Sequence, residues 1–121
     1  DTRGHPAGDR VLKRIVDVIR AQIRDDDLLG RYGGDELLMV LHGNLTCAGA
    51  GALCERVRAA VADSHRDSEE ADLSVTVSIG LCFAQATRAR NLDELIAAAD
   101  KALYCAKEKG RNCVEVQPFG V

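Results

Sequence analysis

The sequence has few aromatic residues and no excess of basic ones. Phenylalanine and tyrosine supply 3% of the 121 residues, and tryptophan is absent. Aliphatic side chains must therefore form the core, as they commonly do where helices cover a sheet. The formal net charge is −3, whereas a surface that binds nucleic acid is usually basic. We therefore expect no nucleic-acid partner.

Paired cysteines and long apolar runs are also absent. The cysteines form no CxxC motif and are odd in number: Cys47, Cys54, Cys82, Cys105 and Cys113. Most lie in apolar stretches, where a reduced cysteine behaves as a small hydrophobic residue. No apolar run approaches the length of a membrane span. These features predict a cytoplasmic location and no membrane insertion of the domain.

The periodicity of the apolar residues predicts one α/β domain over residues 1–121, with a mixed central β-sheet flanked by helices. Its length suits a single domain. The predicted elements are a helix from Asp9 to about Arg24, a hairpin with strands Leu28–Tyr32 and Leu37–Leu41, a helix over Ala48–Ala62, a strand over Ser74–Leu81, a helix from the N-cap Asn91 to about Lys109 with Gly110 as its stop, and a strand over Asn112–Val116.

The turn of the predicted hairpin is Gly33-Gly34-Asp35-Glu36. Glycines at a hairpin tip permit positive φ and leave backbone amides accessible to a ligand. Carboxylates beside such a turn suit a site for Mg²⁺ and a nucleotide. On these four residues alone, an ordinary solvated turn is still favoured by about three to one, because Gly-Gly and Asp-Glu are both common in turns.

Five separated segments change this interpretation, because their order and spacing resemble those of the GGDEF family of diguanylate cyclases. They resemble N-D-x-x-G-H-x-x-G-D, R-Y-G-G-D-E-F, T-V-S-I-G, A-D-x-A-L-Y-x-A-K and G-R-N. In this chain they are Asp1 to His5 with Gly8-Asp9, Arg31 to Leu37, Val75 to Gly80, Ala99 to Lys107, and Gly110-Arg111-Asn112. The resemblance implies a nucleotide-cyclase-like fold and a Mg²⁺-dependent enzyme that joins two GTP molecules into cyclic di-GMP, with release of pyrophosphate.

The resemblance also implies roles for the residues of the hairpin turn. Gly33 and Gly34 would let the backbone meet the GTP phosphates. Asp35 would be a catalytic residue and the Mg²⁺ ligand, and would help to activate the ribose 3′-hydroxyl. Glu36 would support the same site. The turn would therefore form one wall of the GTP site.

Four residues outside the hairpin would complete that site. By the same resemblance, Asp9 would bind the guanine edge and Leu12 would line the base pocket. Lys107 and Arg111 would bind the terminal phosphates, which suits a point charge and a planar donor fork. Without the resemblance, the two cations read equally well as charges that favour the helix dipole at its carboxyl end.

Arg24-Asp25-Asp26-Asp27 precedes the hairpin and is by default a solvated, charged helix end. In the family, R-x-x-D placed five residues before the two glycines is the site of product inhibition. Arg24 and Asp27 occupy those positions, and Arg56 is a candidate for the extra arginine that completes such a site across a homodimer. The resemblance thus implies cyclic di-GMP as an inhibitor as well as the product.

The sequence departs from the family pattern in two places. Leu37 replaces the usual phenylalanine, at modest expected cost because both side chains are large and apolar. The segment D-x-D-x-F-K-x-x-N, which in the family supplies a central strand and a second Mg²⁺ carboxylate, is absent from these 121 residues. We therefore expect the domain to be incomplete at its amino-terminal end, and inactive unless that segment lies upstream.

Two other functions remain open at this point. The chain could be a catalytically silent GGDEF module that senses cyclic di-GMP through Arg24 and Asp27, or GTP through the hairpin. It could also be a dimerisation or scaffold domain without a ligand. The intact Gly33-Gly34-Asp35-Glu36 turn favours an enzyme that works as a homodimer, with one GTP on each of two facing domains.

Overall fold

The computed structural model of the chain describes residues 6–43, 45–64, 75–84 and 91–118. The predicted motif at residues 1–5 and the predicted strand start at Ser74 lie outside these ranges. The elements are α1 (Pro6–Gln22), β1 (Leu28–Gly33), β2 (Glu36–Val40), α2 (Cys47–Asp63), β3 (Ile79–Phe83), α3 (Leu92–Glu108) and β4 (Val114–Pro118). Their order is the predicted one, and the α/β fold class is confirmed.

The described strands form two pairs. β1 and β2 are antiparallel, with Leu29 opposite Met39 and Arg31 opposite Leu37. β3 and β4 are parallel and are joined through α3, which makes a β-α-β unit. Parallel and antiparallel pairing are thus both present, as expected of a mixed architecture, but within the described ranges they belong to two separate two-stranded sheets.

β3 begins later than the alternating pattern predicts. Residues 75–78 precede the strand and have no ladder partner in the described part of the chain. The reason is that β4 starts only at Val114, so its pairing begins at Ile79. Val75 and Val77 nevertheless pack against the core. The period-two pattern therefore indicates which side chains face the core. It does not indicate how far the strand pairing extends.

The core lies between the two amino-terminal helices and the hairpin. Ile15 and Ile19 of α1 and Val57 and Val61 of α2 are almost fully buried. Leu37 packs against this cluster, so the leucine that replaces phenylalanine keeps a core role. Burying aliphatic groups of this size contributes roughly 1.5–3 kcal/mol each. This cluster fixes the hairpin relative to α1 and α2.

α3 packs directly on β3 because Gly80 has no side chain. A Cβ on Gly80 would lie 2.2 Å from the carbonyl oxygen of Ala99 and 2.2 Å from the backbone nitrogen of Leu103. The helix starts at the predicted N-cap, where the Asn91 side chain accepts a hydrogen bond from the Glu94 amide at 2.9 Å. It ends at Glu108 with Lys109 as its C-cap, and the predicted stop, Gly110, follows with a φ of 111°. Both ends of α3 are as predicted.

None of the helices in the described ranges is long and apolar enough to cross a membrane.

Candidate functional site

The hairpin turn leaves its backbone open. Gly33 pairs with Glu36 across the turn, and the register shifts between Arg31 and Gly33. Gly34 has a φ of 22°, and a Cβ placed on either glycine would meet nothing within 4 Å. Asp35 is exposed at the tip. A ligand can therefore reach both the backbone and the Asp35 carboxylate.

Arg31 clamps this turn, a role that the sequence motifs did not predict. Its Nε and Nη2 atoms donate hydrogen bonds of 2.9 and 2.6 Å to the carbonyl oxygen of Gly34. This contact occupies the carbonyl oxygen of Gly34 and holds the conformation of the turn. A cation on β1 three residues before Gly34 was the sequence signal for this contact.

Glu36 and Lys107 bring the hairpin and α3 together. Lys107 Nζ lies 4.0 Å from Glu36 Oε2, and the two side chains are 36% and 38% exposed. A surface ion pair of this kind contributes at most about 1 kcal/mol to stability. A phosphate ligand can therefore draw Lys107 away from Glu36 at small cost. Two predicted site residues, 71 positions apart in sequence, are neighbours in the structure.

Arg111 follows α3 in an exposed bend. Its backbone amide donates to the carbonyl of Ala106 at 3.0 Å. Among the described residues, its guanidinium has no hydrogen bond or ion pair. The side chain of Arg111, which is close in sequence to Lys107, is thus available to a ligand.

Asp9 and Leu12 lie on the first turns of α1, where Asp9 is exposed and Leu12 is half-buried. Three residues apart on a helix, they share a face. Within the described ranges, no hydrogen bond or ion pair joins either residue to the hairpin turn. Their predicted contact with guanine therefore remains a prediction.

The predicted inhibitory residues meet in one cleft of about 250 Å³. Arg56 Nε donates to Gln22 Oε1 at 3.0 Å, which holds this arginine beside the end of α1. Arg56 thus lines the same cleft as Arg24 and Asp27 within one chain. Its predicted role in completing the site across a homodimer remains a prediction. The residues that line the cleft are Gln22, Ile23, Arg24, Asp27, Leu45, Gly49, Leu53 and Arg56.

Asp27 is buried, with 6% of its surface exposed, and holds the turn between α1 and β1. Its carboxylate accepts hydrogen bonds from the amide of Arg24 at 2.8 Å and from the amide of His42 at 3.4 Å. Arg24 Nη2 donates to the His42 carbonyl at 2.6 Å. The backbone of His42 therefore ties the end of the hairpin to this cleft. Asp27 positions the cleft, and the exposed Arg24 can contact a ligand.

The described residues contain no group of three or more side chains arranged to hold a metal ion. The carboxylates of Asp35 and Glu36 nevertheless fit Mg²⁺ in chemical type. That ion prefers oxygen donors and is usually held by one or two carboxylates together with substrate phosphates. The hairpin can thus supply carboxylate ligands to such a site.

A sequence profile described as "Diguanylate cyclase, GGDEF domain" matches residues 1–113. The chain belongs to the GGDEF family. Among curated GGDEF relatives, diguanylate cyclase DgcS of Shewanella oneidensis is 39% identical over 118 residues, which covers 98% of this chain and 38% of that protein. Probable diguanylate cyclase DgcT of Escherichia coli is 44% identical over 119 residues, covering 97% of this chain and 26% of that protein. The chain thus spans well under half the length of these relatives.

Solved GGDEF structures share the fold. The active GGEEF domain of a diguanylate cyclase from Vibrio cholerae superposes with a TM-score of 0.81 at 28% identity, covering 97% of this chain and 72% of that one. The coiled coil and GGDEF domain of DgcB from Caulobacter crescentus, in complex with c-di-GMP, superposes with a TM-score of 0.79 at 28% identity. This match covers 96% of this chain and 61% of that one. The similarity therefore extends over nearly all of this chain.

Proposed function

We propose that this GGDEF domain is a diguanylate cyclase that condenses two GTP molecules into cyclic di-GMP, with release of pyrophosphate. The observation that carries the proposal is the open Gly33-Gly34 turn, which places Asp35 at its tip and Glu36 4.0 Å from Lys107. Amides, carboxylates and a cation, all accessible, are the groups that phosphoryl transfer requires. We further propose that it acts in the cytoplasm.

The amides of Gly33 and Gly34 would bind phosphate oxygens. Lys107, released from Glu36, and Arg111 would bind the terminal phosphates. Asp35, with Glu36, would hold Mg²⁺, which when bound neutralises charge on the phosphates. On α1, Asp9 would accept hydrogen bonds from guanine, and Leu12 would contact its ring.

The reaction would need two domains facing each other, each with one GTP. The 3′-oxygen of each ribose attacks the α-phosphorus of the other GTP, and the bond from that phosphorus to pyrophosphate breaks. Asp35 accepts the proton from the 3′-hydroxyl. Since each domain brings one nucleotide, the protein contributes mainly positioning. A homodimer is therefore the proposed active form.

Substitution of Asp35 tests the proposal. The full-length protein is incubated with GTP and Mg²⁺, and cyclic di-GMP is measured by mass spectrometry. Asp35→Ala should lower the rate by about 100-fold or more, since it removes both a metal ligand and a proton acceptor. Asp17→Ala is the matched control, because Asp17 is exposed on α1 and forms a surface pair with Lys13. Equal rates for Asp35→Ala and wild type would contradict the proposal.

The cleft at Arg24, Asp27 and Arg56 is the proposed site of product inhibition. Guanidinium groups suit guanine and phosphate, to which each can donate two parallel hydrogen bonds. Arg24→Ala should retain cyclase activity and lose inhibition by added cyclic di-GMP. Inhibition unchanged in this variant would contradict the assignment.

The same cleft also supports the second candidate, a silent module that senses cyclic di-GMP. Calorimetry separates the two functions. A sensor binds cyclic di-GMP through Arg24 but does not form it from GTP. A cyclase binds cyclic di-GMP and also forms it from GTP.

A further inference from the structure

The bend that carries Arg111 has a backbone conformation that needs outside support. Gly110, Arg111 and Asn112 have φ values of 111°, 67° and 50° in succession. Glycine adopts positive φ readily and asparagine tolerates it, but arginine does so with strain. Only contacts from the surroundings can hold such a residue in place.

Contacts from three elements hold the bend. From α3, the carbonyl of Ala106 accepts the amide of Arg111 at 3.0 Å. From the segment before β3, the Ser78 hydroxyl oxygen accepts the amide of Asn112 at 3.1 Å. From α2, Arg58 Nη1 donates to the Asn112 side-chain oxygen at 2.8 Å. The last contact joins residues 54 positions apart and is made by side chains alone.

Arg58 is itself held in place. Its side chain is 19% exposed, and it pairs with Glu55 one turn earlier on α2, with 2.9 Å between Nε and Oε1. This fork–fork arrangement uses the Nε and Nη2 edge of the guanidinium and leaves Nη1 directed at Asn112. Glu55 therefore orients Arg58, and Arg58 orients the bend.

We infer that Arg58 and Asn112 are positioning residues, forming a latch that sets the Arg111 guanidinium for the terminal phosphates of GTP; this rests on the proposed function. Lys107 lies within α3 and does not need the latch. Loss of the latch should therefore weaken the part of GTP binding that depends on Arg111, and should leave contacts to the base and the α-phosphate unchanged.

Binding of two nucleotides to the full-length protein tests the latch. One is a GTP analogue with a methylene group between the α and β phosphates, which cannot release pyrophosphate. The other is GMP, which lacks the terminal phosphates. Arg58→Met should weaken binding of the analogue about ten-fold, as expected when one charge-assisted donor is misplaced, and should leave GMP binding unchanged. Lys101→Met, an exposed cation on α3, is the matched control.

A double variant shows whether Arg58 acts through Arg111. If it does, Arg58→Met adds no further loss to Arg111→Met, because the group that it positions is already gone. Additive losses would overturn the latch. So would an analogue affinity in Arg58→Met equal to that of wild type.

Two substitutions at Asn112 keep the test decisive even if Arg58→Met fails to fold. Asn112→Gly accepts positive φ without strain but removes the acceptor, so it should show the loss predicted for Arg58→Met. Asn112→Asp keeps an acceptor for Arg58 and should bind the analogue within about two-fold of wild type. Equal affinities in these two variants would overturn the latch.

The same measurement on wild type separates the latch from the proposed function. If wild type binds the analogue no better than GMP, Arg111 has no terminal phosphate to hold, and both proposals fail. If wild type prefers the analogue and Arg111→Met loses that preference while Asn112→Gly keeps it, only the latch fails.

Discussion

At the scale of the residue, the cysteines differ in their surroundings and should differ in reactivity. Cys54 is buried within α2, and burial raises the pKa of its thiol to about 11. Cys105 is exposed on α3. Because the thiolate is the reactive form, Cys54 should be inert in the folded protein at neutral pH.

Thiol labelling checks this difference. With iodoacetamide at pH 8, mass spectrometry should find Cys105 modified and Cys54 unmodified until the protein is unfolded in urea. Cys105→Ser should remove the rapidly labelled site. Labelling of Cys54 at the rate of Cys105 in the folded protein would contradict the burial of α2 described above.

The pair of Glu55 with Arg58 should make the stability of the protein depend on pH. The hydrogen bond from Arg58 lowers the pKa of the Glu55 carboxyl below its ordinary value of 4.5. A lowered pKa in the folded state means stabilisation that is present above pH 4.5 and is lost as the pH falls through the folded-state pKa.

Urea unfolding of wild type and Glu55→Gln measures this effect. The advantage of wild type should be present at pH 6 and should shrink as the pH falls below 4.5. Since Glu55 is on the surface, the difference should be small and reduced by salt. An advantage that grows on acidification would contradict the assigned contact.

At the scale of the element, Gly80 decides how closely α3 can approach β3. A methyl group at this position would meet the backbone of Ala99 and Leu103 at 2.2 Å, and backbone atoms cannot rotate away. Gly80→Ala should therefore destabilise the protein by about 2–3 kcal/mol, and it should reduce activity by shifting the helix that carries Lys107.

Gly51→Ala is the matched control for Gly80→Ala. Gly51 lies in α2, and an added Cβ there would meet nothing within 4 Å. This substitution should stabilise the protein by about 0.5–1 kcal/mol, since alanine is the better helix former. Chemical denaturation of the two variants gives both values, and a neutral Gly80→Ala would contradict the close packing of α3 on β3.

The order of the elements could be predicted from the sequence because each helix and strand has its own period of apolar residues. The caps of α3 could be predicted because capping is local: Asn91 and Gly110 each lie within a few residues of the helix end that they cap. Long-range pairing could not be predicted in this way. The extent of β3 depends on where β4 begins, and the Arg58–Asn112 contact joins residues that share no local pattern.

At the scale of the whole molecule, the candidate site draws on distant parts of one chain. Sequence motifs identified Glu36 and Lys107 separately, and the fold places them 4.0 Å apart. It also gathers Arg24, Asp27 and Arg56 around one cleft. Side-chain directions decided what the motifs left open: the burial of Asp27 and the clamp from Arg31 to the Gly34 carbonyl.

Cyclic di-GMP has two guanosine phosphate units, and each domain of the proposed homodimer would hold one GTP. The stoichiometry of the products is therefore the most direct test of the proposed condensation of two GTP molecules. Full-length wild-type protein is incubated with GTP and Mg²⁺, and cyclic di-GMP and pyrophosphate are quantified together. We expect two pyrophosphates for each cyclic di-GMP formed. Pyrophosphate without cyclic di-GMP, or no product from GTP at all, would contradict it.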